Sequence, residues 1–74
     1  MLVLYGRARC RLCDVMAERL RELRLPFEKV DVDGDAELAA RYGNRVPVLA
    51  DAQGVEVCHG HLDVAALRTR LALE

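Results

Sequence analysis

The first half of the chain has the pattern strand, helix, strand, and this order constrains the fold more than any other feature of the sequence. Residues 1–5 are apolar and β-prone, and apolar residues recur at helical spacing through residues 11–24. Leu25-Pro26 ends the helix, because the residue before a proline is pushed out of the α region. Residues 27–33 follow as a second strand, with an acidic run over 28–37 that we expect to form a solvated edge. Two strands joined by one helix run parallel through a right-handed crossover.

The helical pattern has an apolar stripe that we expect to face the core. The stripe consists of Leu12, Met16, Leu20 and Leu23, with Val15 beside it.

The second half of the chain predicts a short helix, a hairpin and a last helix. Asp35 is expected to N-cap a helix over residues 36–42. Strands over 46–50 and 55–58 are joined by turn residues, and Asp63 begins a final helix. The order β-α-β-α-β-β-α predicts an α/β protein in which helices cover both faces of a four-stranded mixed sheet. That is the element order of the thioredoxin-like fold.

Length, charge and cysteine content exclude several classes of protein. A chain of 74 residues is expected to form a single domain over 1–74. Its net charge of −1 at pH 7 argues against nucleic acid or a membrane as a partner. Residues 1–5 are too short for a signal-peptide apolar region, so we expect a cytoplasmic location. An odd count of three cysteines in a reducing compartment indicates catalytic or metal chemistry rather than a disulfide framework.

Cys10 and Cys13 form a Cys-x-x-Cys pair where the first predicted strand passes into the first helix. Unpaired N–H groups and the helix dipole stabilise an anion there, so we predict a pKa for Cys10 below the usual value of about 8.5. Arg7, Arg9 and Arg11 act in the same direction and are candidate substrate-binding residues. The spacing places both sulfurs on one helix side, with Cys10 exposed and Cys13 shielded. Cys10 would attack a disulfide, and Cys13 would resolve the mixed disulfide.

Two functions of other classes stay open. One is a metal or iron–sulfur carrier using Cys10, and a zinc site could add Cys58, His59 or His61 to the pair. Against zinc, structural pairs of this kind sit on turns that contain glycine, whereas this pair runs straight into a long helix, so we predict no metal ligands. Cys58 is expected to be a buried small residue. The other function is a redox-inactive binding module.

Three segments of the chain resemble glutaredoxins, and more closely the compact glutaredoxin-like proteins of bacteria. Residues 5–13 match a strand-ending Tyr, a basic residue three positions before the first Cys, and the Cys pair. Arg45-Val46-Pro47 stands where the family has Thr-Val-Pro, and residues 60–63 match a Gly, two variable residues and an Asp. The chain departs from the family pattern at Arg11, Leu12, Arg45 and His59.

The resemblance implies a dithiol–disulfide oxidoreductase of cell redox homeostasis and electron transport. Its partner would be a disulfide-bearing protein or glutathione as co-substrate, with no tightly bound cofactor, and the protein would be a monomer. In the family the proline of Thr-Val-Pro is cis and faces the thiols, which assigns that place to Pro47. By the same resemblance, Arg7 would meet the glycine carboxylate of glutathione, and the Val46 backbone would pair with its cysteinyl peptide. The γ-glutamyl end would be held by the backbone at His61 and Leu62 and by the Asp63 side chain.

Overall fold

The computed structural model describes residues 1–73 and contains the predicted order of elements. The strands are β1 (Leu2–Gly6), β2 (Phe27–Asp31), β3 (Val48–Ala50) and β4 (Glu56–His59). The helices are α1 (Arg11–Glu22), α2 (Ala36–Tyr42) and α3 (Val64–Leu73), and a 3-10 turn occupies Val32–Gly34.

The four strands form one mixed sheet in the order β2-β1-β3-β4. β1 and β2 are parallel, as a strand–helix–strand unit requires, whereas β3 is antiparallel to both β1 and β4. The α/β, thioredoxin-like fold predicted from the element order is therefore confirmed. None of the helices within residues 1–73 is long and apolar enough to span a bilayer.

The core lies on both faces of the sheet, because successive strand side chains point in opposite directions. Leu4 and Leu49 face α1 and α3 on one side, together with Met16, Leu20 and Leu67. On the other side, Val48 and Tyr42 of α2 enclose the buried Val32. The rings of Tyr42 and Tyr5 stack with their centroids 4.4 Å apart. This second cluster fixes α2 against the face opposite α1.

The buried face of α1 differs from the predicted stripe. Cys13 and Ala17 are buried together with Met16 and Leu20, whereas Leu12 is 53% exposed. Val15 and Leu23 are also exposed, at 52% and 37%. Each helical residue is turned about 100° from the one before it, so a helix that directs Cys13 inward must turn Leu12 outward. The prediction that the large apolar residues form the buried stripe was therefore wrong, because the buried face of α1 is rotated by part of a helical turn from the predicted one.

Strand boundaries also differ from the predictions, and β1 lies at Leu2–Gly6 rather than at residues 1–5. β2 ends at Asp31 rather than at residue 33, because the Asp31 side chain accepts a hydrogen bond from the Asp33 N–H at 2.9 Å and turns the chain. β3 begins at Val48 rather than at residue 46, because Pro47 has no N–H to give to a neighbouring strand. β4 is displaced by one residue from the predicted 55–58 and includes His59.

Aspartate side chains cap the starts of α2 and α3, as predicted. Asp35 accepts hydrogen bonds from the N–H groups of Glu37 and Leu38, at 2.8 and 3.2 Å, and so caps α2. Asp63 accepts one from the Ala66 N–H at 3.0 Å at the start of α3. These caps fix where each helix leaves the loops at the edge of the sheet.

Candidate active site

Three loops meet at one end of the sheet. β1 runs towards this end, and β3 starts from it because the two strands are antiparallel. Tyr5 pairs with Val48, which pairs in turn with His59 of β4. The loop that carries Cys10, the Val46–Pro47 loop and the loop after β4 therefore leave the sheet side by side. The last two are joined by a hydrogen bond of 2.9 Å from the Gly60 N–H to the Pro47 carbonyl oxygen.

Cys10 is the N-cap residue of α1. Its backbone is extended, with φ −106° and ψ 106°, and its Sγ accepts a hydrogen bond from the Cys13 N–H at 3.2 Å. The sulfur occupies the place that a Ser or Asp oxygen takes at an ordinary helix start. Helix N–H groups and the positive end of the helix dipole therefore point at this sulfur, which is the environment that stabilises a thiolate.

Cys13 lies beneath Cys10 and is bonded to it. The two residues form a disulfide with their Cα atoms 5.2 Å apart, within the ordinary range for such bonds. Cys10 is half-buried and reaches the surface, whereas Cys13 is fully buried at 0% exposure. The predicted order of exposure, with an accessible first thiol and a shielded second one, is present in the structure.

The arginines beside the pair have different surroundings. The Arg7 guanidinium lies 3.1 Å from a carboxylate oxygen of Asp33 and against the backbone of Gly43. Arg9 and Arg11 are exposed, and within residues 1–73 neither has a carboxylate within 4.0 Å. Arg9 has a φ of 59°, an uncommon backbone conformation for a residue other than glycine. A net positive charge therefore lies on the α1 side of Cys10, since Asp14 of the first turn of α1 offsets only one of these two arginines.

The Val46–Pro47 peptide bond is cis, as the resemblance implied. Next to it, the Arg45 side chain donates a hydrogen bond to Glu56, and Glu56 lies 3.1 Å from the Nδ1 of His59. Burial acts to raise the pKa of Glu56, but the hydrogen bonds with Arg45 and His59 outweigh it and hold this pKa below 4.5. Two of the departures from the family pattern, Arg45 and His59, are thus joined through one carboxylate.

The loop after β4 begins with Gly60, whose φ of 80° is readily adopted by glycine. His61 is exposed, whereas Leu62 turns inward and packs against the core. Of the residues implied to hold the γ-glutamyl end, Leu62 therefore directs its side chain towards the core. The roles of Val46, Pro47, His61, Leu62 and Asp63 in substrate binding stay predictions.

Cys58 packs against the core and is half-buried. Burial raises the pKa of this thiol above 9.0, and the Asp63 and Glu56 carboxylates raise it further. A hydrogen bond with the Asp63 backbone opposes them and is outweighed. In the part of the chain that the structure describes, no three His, Cys, Asp or Glu side chains lie together as metal ligands.

Two residues of this region were not identified from the sequence. Gly6 lies against Cys13 and leaves room for its sulfur. Asp33, interpreted from the sequence as part of a solvated acidic edge, pairs with Arg7 across 26 residues of chain. The glycine between the strand and the cysteine loop was a usable signal, since an isolated Gly there marks a close approach. Nothing local announces the pairing of Asp33 with Arg7.

The fold and the cysteine pair together define a thioredoxin-like protein with a Cys-x-x-Cys motif at the start of its first helix. The family model described as Glutaredoxin-like domain (DUF836) matches residues 1–72. The chain therefore belongs to this glutaredoxin-like family, as its resemblance to glutaredoxins predicted.

Solved structures similar to this chain share its fold. The protein XcR50 from X. campestris is 41% identical, with a TM-score of 0.82, and the match covers 100% of this chain and 99% of that one. Protein Ne2328 from Nitrosomonas europaea is 36% identical, with a TM-score of 0.84 and coverage of 93% and 87%. The T8A mutant of the thioredoxin-like protein BC3987, at 21% identity, TM-score 0.67 and coverage of 96% and 99%, supports the fold alone. No curated protein matches the chain in sequence.

Proposed function

We propose that this protein is a dithiol–disulfide oxidoreductase of the cytoplasm, in which Cys10 attacks a protein or glutathione-mixed disulfide and Cys13 resolves the product. One observation carries the proposal: an accessible sulfur that caps a helix is bonded to a second, fully buried sulfur one turn further on. A pair with a purely structural role needs no such difference in exposure. An exchange catalyst needs this difference, because its first sulfur must be accessible to the substrate and its second must be shielded from the substrate yet close to the first.

The reaction proceeds in two exchanges. In the reduced protein, the Cys10 thiolate attacks one sulfur of the substrate disulfide, and the other sulfur leaves as a thiolate that takes up a proton. The Cys13 thiol then loses its proton and attacks Cys10 Sγ. This step releases the second substrate sulfur and leaves the Cys10–Cys13 disulfide. Two electrons have passed from the protein to the substrate, and a thiol reductant, either glutathione or a protein dithiol, must supply two more for the next cycle.

The surrounding residues support this chemistry in different ways. The charges of Arg9 and Arg11 favour the thiolate over the thiol at Cys10. The loop with the cis Val46–Pro47 bond lies beside the cysteine loop, where its backbone can align a substrate segment. Because Cys13 is buried, a substrate disulfide meets Cys10 and not Cys13, so Cys13 stays free for the resolving step.

Single cysteine variants test the proposal. Cys10→Ser should abolish turnover of a disulfide substrate, whereas Cys13→Ser should form a mixed disulfide that mass spectrometry detects as an adduct on Cys10. Cys58→Ser is the matched control and should retain turnover, because Cys58 lies outside the pair. Loss of turnover in Cys58→Ser, or turnover that survives in Cys10→Ser, would contradict the assignment.

A further inference from the structure

Two apolar side chains of α1 face solvent next to the attacking sulfur. Leu12 and Val15 are 53% and 52% exposed, whereas Met16 and Leu20 of the same helix are at most 1% exposed. Residues three apart on a helix are neighbours on its surface, so the two side chains form one apolar patch. A single exposed apolar residue is ordinary. Two exposed apolar residues that begin two positions after Cys10, in contrast, form an apolar surface beside the attacking sulfur.

Positive charge lies around this apolar patch. Of the four arginines near the cysteine loop, Arg7 is neutralised by Asp33 and Arg45 by Glu56. Arg9 and Arg11 keep their charge, since no carboxylate within residues 1–73 lies within 4.0 Å of either. Asp14 of the same turn offsets one of the two charges, so a net positive charge remains. We call Arg9, Arg11, Leu12 and Val15 the α1 surface.

On the other side of the cysteine loop, towards β4, Arg45 and Glu56 neutralise one another, and the exposed Asp63 adds a negative charge. An anionic partner is therefore attracted to the α1 surface more strongly than to this side. Such an asymmetry fixes the direction from which a charged segment approaches Cys10.

We infer that the α1 surface receives the segment next to the substrate's disulfide, and that this segment carries an acidic residue beside an apolar one. The inference rests on the proposed function and specifies its substrate class as a protein disulfide rather than a small thiol. Glutathione offers carboxylates to Arg9 and Arg11, but it has no apolar side chain to cover Leu12 and Val15. A lipid surface or a nucleic acid offers negative charge, but neither brings a disulfide to Cys10.

Disulfide-linked peptides of equal length provide the test. In one the cysteine is flanked by Glu and Leu, in the second by Lys and Leu, and in the third by Glu and Ser; 2-hydroxyethyl disulfide is the neutral reference. The reduced protein is mixed with each, and the second-order rate constant of reduction is measured. At low salt the Glu-Leu peptide should react about tenfold faster than the Lys-Leu peptide, an advantage that shrinks as salt screens the charges. It should also react several-fold faster than the Glu-Ser peptide.

Paired variants separate charge from apolar contact. The double variant Arg9→Glu with Arg11→Glu should reverse the preference for the Glu-Leu over the Lys-Leu peptide. The double variant Leu12→Ser with Val15→Ser should remove the preference for Leu over Ser and keep the charge preference. Ratios between peptides are compared, because any effect of the arginines on the Cys10 thiolate is common to all peptides and cancels.

Two control variants match these changes at a distance from the cysteine pair. Arg68→Glu reverses an exposed charge on α3, and Val55→Ser removes an apolar side chain that is 43% exposed after the hairpin turn. Both should leave the ratios unchanged.

The outcomes distinguish the inference from the proposed function. If 2-hydroxyethyl disulfide does not exchange at Cys10, the proposed function fails. If it exchanges, but the three peptides react within twofold of one another or the variants leave their ratios unaltered, the inference alone fails. A dimer that Leu12→Ser with Val15→Ser dissociates would assign the α1 surface to self-association and overturn the inference. Binding to phosphatidylglycerol vesicles that Arg9→Glu with Arg11→Glu abolishes would assign it to a membrane, with the same result.

Discussion

The sulfur of Cys13 lies 3.1 Å from the position that a Cβ atom on Gly6 would occupy. The last residue of β1 therefore forms one wall of the space that holds the resolving thiol. Because Cys13 is fully buried, its sulfur has little room to retreat from an added group. The strand and the redox chemistry are coupled through this one contact.

Gly6→Ala should disturb the resolving step more than the attacking step. The added methyl group crowds the Cys13 sulfur and should destabilise the protein by about 1–3 kcal/mol, as overpacking usually does. A displaced Cys13 attacks Cys10 more slowly, so the mixed disulfide should accumulate in stopped reactions analysed by mass spectrometry. Gly34→Ala is the control, since nothing lies within 4 Å of its added Cβ. Equal accumulation in both variants would contradict a role of the Gly6–Cys13 contact in the resolving step.

The thiolate of Cys10 should form below the pH at which an ordinary cysteine ionises. The sulfur caps α1 and accepts the Cys13 N–H, so we expect the pKa of Cys10 to lie below about 8.5. Thiolate absorbance against pH, measured in a Cys13→Ser, Cys58→Ser background, gives this value directly. Arg9→Gln with Arg11→Gln should raise it at low salt, and Arg68→Gln should not. A midpoint at or above the ordinary value would contradict the role of the helix start.

Cys58 should be alkylated more slowly than Cys10 in the reduced protein. Burial raises its pKa above 9.0, so little thiolate is present at neutral pH. Iodoacetamide should modify Cys10 well before Cys58 at pH 7, and labelling of Cys58 should accelerate only as the pH rises beyond 9.0. Peptide mapping by mass spectrometry measures both rates, and protein unfolded in urea is the control, in which Cys58 loses its protection. Faster labelling of Cys58 than of Cys10 in the folded protein would contradict the assignment of the attacking thiol.

Much of the fold and the centre of the site could be predicted from the sequence, for local reasons. The Cys10–Cys13 pair, the caps Asp35 and Asp63, and the element order all depend on neighbours in the chain. The pairing of Arg7 with Asp33 could not be predicted, because it joins residues 26 positions apart and depends on the fold. The orientation of α1 was mispredicted for a similar reason: large side chains were assigned to the core, but the space beside Gly6 admits Cys13.

Glu56 should contribute stability that depends on pH. Its pKa in the folded protein lies below the ordinary 4.5, because the hydrogen bonds with Arg45 and His59 outweigh the effect of burial. A lowered carboxyl pKa stabilises the folded state fully above pH 4.5, and this contribution is lost as the pH falls through the folded value. Urea unfolding should therefore show Glu56→Gln less stable than the wild type at pH 7, with the difference disappearing at low pH. Glu28→Gln, at an exposed position of β2, is the matched control.

Asp51 should support the fold without acting in the redox reaction. Its carboxylate, which is 1% exposed, accepts hydrogen bonds from the N–H groups of Gln53 and Val55, both at 2.9 Å. Its second oxygen lies 3.5 Å from the Arg70 side chain, so one buried residue joins the hairpin to α3. Asp51→Ala leaves the two donors without this partner and should lower the free energy of unfolding by about 2–4 kcal/mol.

Asp51→Asn keeps an oxygen for those donors, so it should be the milder of the two Asp51 variants in urea unfolding. Because β3 runs away from the cysteine loop, Asp51 lies at the far end of the sheet from Cys10. The rate of disulfide exchange by the folded fraction should therefore be unchanged in both variants. A slower exchange rate in Asp51→Asn at full folding would show that the two ends of the sheet are coupled and would overturn a purely structural role for this carboxylate.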